Sequence, residues 1–571
     1  MRRPPVGRLV ALLCSMVLAL GVIFVRLTVL QVSQAADLQD RAVSQRVRTV
    51  TLPAQRGAIL DRSGEPLALS LPARDVYADP RYVRDAWSTA RALSPLLGKD
   101  PELLMEALGS DPSFVYLGRQ VDLEVAERIG ELHLPGIGFL ESSARSYPAG
   151  PLASQVLGFV GVDGDGLAGL ELAHQDLLAG TPGERTQELD PYGKPISGGI
   201  DVERPPVAGS SIVTTLDREL QFQAQTALED AVDTQRARGG MIVVMRVRTG
   251  EILAMASYPW FDPNTFEEAK RGTFRNRAVT DAFEPGSTNK VITAAAAVQE
   301  RALPLDERLS VPWTMRVDGY TIHDSHPHAT MRMTLGDVIA ASSNIGAAQV
   351  AGRVGRSTMA SYLTRFGLGR TTGIGFPGES PGIVQPLPEW SDATLATVAY
   401  GQGVAATPLQ MVSVYATIAN RGRWVQPTLV SATIDPDGSR SPVAASTTRR
   451  VISADSAATV TRMLVYAVEH GTGGNAQVPG YQVAGKTGTA RIPDPDRAGY
   501  LEGQYMSSFI GFLPAGRPEI VVAAVLDRPA QGYGSLAAAP LFQRVARAAI
   551  ARLAIEPAPR VGFPPHALPI R

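Results

Sequence analysis

Ser287 and Lys290 stand three residues apart in Glu284-Pro285-Gly286-Ser287-Thr288-Asn289-Lys290, at the head of the alanine-rich run Val291–Gln299. Positions i and i+3 share one face of a helix, so the hydroxyl and the amine can meet at the helix N-terminus. That pairing suits an activated serine: an amine kept neutral by burial and by neighbouring cations takes the hydroxyl proton as the oxygen attacks. Alone, the same residues also fit an N-cap beside a surface charge. Ser342-Ser343-Asn344 follows fifty-five residues later, at the end of the apolar stretch Leu335–Ala340, and alone it reads as a helix-to-loop turn. The third group, Lys486-Thr487-Gly488-Thr489, lies within Val483–Ala490, whose small and β-branched residues predict a strand along which a substrate backbone can lie.

Other strings match known patterns without the context that the chemistry needs. Gly480 to Thr487 fits a phosphate-binding loop, but such a loop leads into a helix, and Gly488, Pro493 and Pro495 forbid one here. Gly378-Glu379-Ser380-Pro381-Gly382 fits a nucleophile elbow, yet Pro377, Pro386 and Pro388 spoil the strand before it and the helix after it. It reads as a loop. His323, His326 and His328 cluster with Asp324, but no fourth ligand stands nearby and Pro327 interrupts the run, so no metal site is assigned.

The elements that must position the three groups follow from periodicity. Met241–Arg246 and Glu251–Ala256 read as a hairpin around Val247-Arg248-Thr249-Gly250, and Tyr505–Leu513 and Glu519–Leu526 as a second strand pair. A helical pattern precedes the first pair from Asp217 to about Arg236, and helical stretches fill most of the middle. The expected fold class is therefore α+β, an antiparallel sheet drawn from both ends of one domain and packed against helices.

Upstream, Leu9–Val25 runs seventeen residues without a charge and continues apolar to Leu30. As a helix, 9–30 covers about 33 Å, enough for a bilayer core. Arg2, Arg3 and Arg8 precede it, which places the N-terminus in the cytoplasm and the remainder outside a single-pass anchor. A cleaved signal peptide is the alternative, supported by the small residues in Ser33-Gln34-Ala35-Ala36; the apolar run exceeds the usual 7–15 residues of such a peptide. The expected organisation is a cytoplasmic tail at 1–8, an anchor at 9–30, a pedestal at 31–209, a catalytic domain at 210–554 and a Pro-rich tail at 555–571. Pro205–Gly209 forms the joint. In a chain of 571 residues with net charge −1 there is no global positive field for nucleic acid, and the single cysteine, Cys14, rules out an internal disulfide or a cysteine-based metal centre.

The order S-x-x-K, S-x-N, K-T-G resembles that of serine acyl-transferases, the penicillin-binding proteins and β-lactamases. The likeness extends over nearly the whole chain. Arg56–Ala68, Tyr77–Pro80, Tyr147-Pro148, Gly166–Glu171, Thr249–Ala254, Gly375–Glu379 and Tyr400–Gly403 are similar to class B penicillin-binding proteins. Softer likeness around Tyr77–Pro80, Asn276–Phe283 and Thr181–Tyr192 points to the division, or septal, type; an elongation-type enzyme and a catalytically silent division scaffold are the alternatives. The resemblance implies a D,D-transpeptidase that needs no cofactor. Ser287 would be the nucleophile, Lys290 its base, Ser342 a proton relay and Asn344 a ligand of the substrate amide. Lys486, Thr487, Gly488 and Thr489 would bind the substrate, with the N–H groups of Ser287 and Thr489 as oxyanion hole. It further implies stem pentapeptides ending in D-Ala-D-Ala as substrate, penicillin and other β-lactams as inhibitors, a membrane-embedded glycan polymerase of the shape, elongation, division and sporulation (SEDS) family as partner of the pedestal, and other division proteins.

Overall fold

The computed structural model describes residues 6–33, 46–109, 114–190, 195–497 and 499–563. Arg2, Arg3, the possible cleavage region from Gln34, Tyr192 and the end of the Pro-rich tail lie outside them. The chain divides into two compact units, one of 1–55 with 180–208 and the other of 56–179 with 209–571.

In the first unit, the apolar run forms a helix, Val6–Thr28, continued by a wider turn, Val29–Ser33. None of the helix side chains is buried, and its length and composition suffice to cross a membrane. The unit also holds a three-stranded antiparallel sheet in the order Val47–Leu52, Gly183–Glu188, Asp201–Arg204.

The second unit joins sequence-distant strands. Ile59–Leu60 pairs in parallel with Ser211–Thr214 and antiparallel with the long strand Pro66–Ala78. This sheet runs on to Val430–Ile434 on one side and to Val115–Asp122 and Ile137–Ser146 on the other. Beside it, Arg56 and Arg145 converge on Glu171, each 2.7 Å from a carboxylate oxygen, with all three side chains buried. Breaking such a buried pair strands a charge, so this network fixes how 56–179 folds.

The scaffold that carries the three motifs comprises α1 (Arg218–Gln235), β1 (Gly239–Arg246), β2 (Ile252–Tyr258), α2 (Lys290–Gln299), α3 (Leu335–Ala341), α4 (Asn344–Val354), α5 (Pro408–Ala419), α6 (Ala454–Glu469), β3 (Ala484–Pro493), β4 (Tyr500–Leu513), β5 (Ile520–Asp527) and α7 (Ala538–Leu553). The five strands form an antiparallel sheet in the order β2-β1-β5-β4-β3. Successive side chains of a strand point to opposite faces. Accordingly Val243, Met245, Val521 and Ala523 join a core that includes residues of α2 to α6, while Ile242, Val244, Val522 and Ala524 pack with α1 and α7. Both faces are apolar because both are covered, and the sheet lies between two helical layers. β3 is left at one edge.

Candidate active site

Each motif sits where one regular element meets another. Gly286–Asn289 forms a single 3-10 turn that feeds α2, so Ser287 lies just ahead of the helix and Lys290 is its first residue. Gly401 lies against this turn at φ +85°, and Gly286 N–H donates to Gly401 O, 3.1 Å. A Cβ on Gly401 would fall 2.1 Å from Gly286 O. Tyr415, from α5, donates its hydroxyl to Thr288 O at 2.9 Å. Ser342 ends α3 in the left-handed region, φ +61°, and Ser343 caps α4, whose first residue is Asn344. A non-glycine residue held at positive φ marks a position that the surroundings over-determine. Lys486, Thr487, Gly488 and Thr489 all lie on β3. At Gly488 a Cβ would come within 2.2 Å of Ser508 Oγ, so only glycine lets the edge strand pack here.

The expected residues converge. Lys290 Nζ lies 3.0 Å from Ser287 Oγ, 2.8 Å from Asn344 Oδ1 and 2.5 Å from Ser342 O. Ser342 Oγ is 2.9 Å from Ser287 Oγ and 2.9 Å from Lys486 Nζ. Lys486 Nζ also reaches Thr487 Oγ1 at 3.1 Å and Thr472 Oγ1 at 3.3 Å. Thr489 Oγ1 accepts from Gly534 N–H at 3.1 Å.

Two lysines in a buried polar cluster cannot both hold ordinary charges. Desolvation, reinforced by the like charge of Lys486 and opposed by Asp324, holds Lys290 well below the usual lysine range. Burial pushes Lys486 down to about 7. A neutral Lys290 amine has a lone pair aimed at a hydroxyl, and a serine hydrogen-bonded to such an amine is primed for nucleophilic attack.

Two residues belong to the site that sequence reasoning did not assign. Asp324, weighed above only as part of a histidine cluster, accepts from the N–H groups of Asn344 and Ile345 at 2.5 and 3.0 Å, from Ser343 Oγ at 2.7 Å and from His328 Nε2 at 3.1 Å. It anchors the start of α4, while His323 O accepts from Asn344 Nδ2. Among the described residues no group of His, Cys, Asp or Glu is arranged to hold a metal. Thr472 is the other, 2.7 Å from Thr487 Oγ1. Its signal was the flanking glycines, since a Cβ on Gly471 would strike Ala340 O at 2.2 Å. The competing strings lead elsewhere: Gly480–Thr487 runs into strand β3, and Gly378–Gly382 is a loop.

A family profile described as the penicillin binding protein transpeptidase domain matches residues 240–547, and one described as the penicillin-binding protein dimerisation domain matches 51–214. The chain is 38% identical to penicillin-binding protein PbpB of Mycobacterium tuberculosis over 95% of its own length and 83% of the relative's. It is 34% identical to peptidoglycan D,D-transpeptidase FtsI of Escherichia coli, over 96% and 92%. Among solved structures, penicillin-binding protein 3 of Mycobacterium tuberculosis complexed with aztreonam superposes with a TM-score of 0.72 at 33% identity, covering 90% of this chain and all of that one.

Proposed function

Because this chain belongs to the penicillin-binding protein family, as a class B member of the division type, we propose the mechanism by which it acts as a peptidoglycan D,D-transpeptidase. The observation that carries the reading is a fully buried Lys290 amine, held below its ordinary pKa, 3.0 Å from Ser287 Oγ.

Lys290 takes the proton of Ser287 as Oγ attacks the carbonyl of the D-Ala-D-Ala bond in a stem pentapeptide. The N–H groups of Ser287 and Thr489 receive the developing oxyanion; donors fixed before reaction stabilise charge without reorganising. Ser342, hydrogen-bonded to Ser287 and Lys486, gives its proton to the departing D-Ala amine as the C–N bond breaks and regains one from Lys290, whose Nζ is 3.4 Å from its Oγ. Asn344 holds the substrate amide. Lys486 with Thr487 and Thr489 holds the terminal carboxylate, and the peptide lies along the open edge of β3 beside Gly488. The amine of a second stem peptide then takes the acyl group and frees Ser287. Penicillin and other β-lactams enter by the same first step.

The helix Val6–Thr28 is compatible with a single-pass membrane anchor. Arg8, in its first turn, favours a cytoplasmic N-terminus and an extracytoplasmic catalytic domain. The pedestal, with the joint at Pro205–Gly209, contacts a SEDS-family glycan polymerase and other division proteins. In a reconstituted assay on pentapeptide-bearing glycan, the native chain should release D-Ala and form crosslinks while Ser287→Ala does neither; D-Ala release by the variant would refute the mechanism.

A further inference from the structure

A cavity of about 260 Å³ opens between the C-terminal end of the helix Arg356–Phe366, the first half of α5 and the strand pair Arg423–Val425 with Thr448–Arg450. Arg370 and Arg449 line it, with Trp424, Thr371, Thr447 and Thr448. Arg365 lies beside them; its carbonyl accepts from Arg449. The Arg449 guanidinium stacks 4.4 Å over the Trp424 ring.

These three arginines bond to backbone carbonyls, Arg365 to Val451, Arg370 to Thr364 and Arg449 to Arg365. The last two acceptors belong to the final turn of a helix, whose negative end tolerates cations. That accounts for one N–H each on Arg370 and Arg449, while Arg365 also meets the Tyr362 hydroxyl and ring; a guanidinium carries five N–H groups. No carboxylate among the described residues forms an ion pair with any of the three. Glu300 accepts from Tyr362 and Glu379 from Thr372 instead. Burial and the charges of Arg370 and Arg365 push Arg449 down to about 10, the response of a guanidinium that lacks a counter-anion.

We propose that this cavity is a binding site for a phosphate-class anion, separate from the transpeptidase centre. Guanidinium forks match tetrahedral oxyanions, and the hydroxyls of Thr371 and Thr448 can donate as well, whereas Thr447 already donates to Gln426. A group of two or more negative charges offsets the arginine cluster better than a single carboxylate does.

The test is calorimetric titration of the full-length chain in detergent with pyrophosphate, inorganic phosphate and acetate, at constant ionic strength so that screening does not vary. The expected result is saturable binding of pyrophosphate and phosphate, with acetate much weaker. Arg370→Gln and Arg449→Gln should each weaken binding by about tenfold or more, the size expected for losing a charge-assisted hydrogen bond. Penicillin acylation of Ser287 serves as the folding control. Should Arg449→Gln fail to fold, the exposed Arg370 side chain provides the decisive variant. Absence of saturable binding, equal binding by a folded Arg370→Gln chain, or preference for acetate would each overturn the proposal. Failure here leaves the transpeptidase reading intact, because none of these residues touches the catalytic cluster.

Discussion

In the proposed mechanism Lys290 is the base, and replacing it with arginine separates base catalysis from fixed charge. Arginine preserves the positive charge but keeps its proton above pH 12, so it cannot act as base. Lys290→Arg is expected to lower the penicillin acylation rate by about 10²–10⁴, nearly as much as Lys290→Ala, as measured by stopped-flow with a fluorescent penicillin. Near-normal acylation by the arginine variant would mean that Lys290 is only a fixed charge. The pH profile gives a second measurement. A base works unprotonated, so the rate falls as pH drops through the Lys290 value, which burial first and Lys486 second hold well below 10.5. Lys486→Gln removes the like charge, and Lys290 then keeps its proton to higher pH. The acid limb of the acylation profile should therefore move upward in that variant; an unmoved or lowered limb would contradict the coupling.

Among the elements, Gly401 packs directly against the turn that carries Ser287. Gly401→Ala places a Cβ against Gly286 O at a positive φ, and is expected to cost at least about 2 kcal/mol in a denaturant melt and to slow acylation. Gly272→Ala, where a Cβ would meet nothing within 4 Å, should stay within about 0.5 kcal/mol of the native chain. Equal stability of the two variants would show that the turn adapts. Much at this scale was legible in sequence. The hairpin β1–β2, the pair β4–β5, the helix from Asp217 and the strand nature of Lys486–Thr489 follow from short apolar or β-branched runs, helical periodicity, turn residues and proline positions. Asp324 was not legible. Its role depends on two helix-start N–H groups twenty residues away in sequence, and periodicity carries no record of such a contact. Thr472 was hidden for the same reason, although the glycines around it marked a close backbone approach.

For the whole molecule, the strand Ile59–Leu60 completes a sheet with Ser211–Thr214, and Ile59 and Ile212 are both fully buried. A chain beginning near residue 210 would expose that surface, so we expect it to melt lower than the full chain. Because Ser210 N–H donates to Leu177 O at 3.0 Å, a short linker from Ala179 to Gly209 can replace 180–208. A chain from residue 56 with that linker should keep penicillin acylation yet fail to support crosslinking in cells when fused to the native Val6–Thr28 helix. Restored growth would make residues 31–55 and 180–208 dispensable for partner contact. The central claim, that Ser287 is the acylated nucleophile, is tested most directly by intact-mass analysis and peptide mapping of the full chain after penicillin treatment. A single β-lactam adduct is expected on the peptide containing Ser287, and none in Ser287→Ala. An adduct on Ser342 or Ser380, or one that persists in Ser287→Ala, would contradict it.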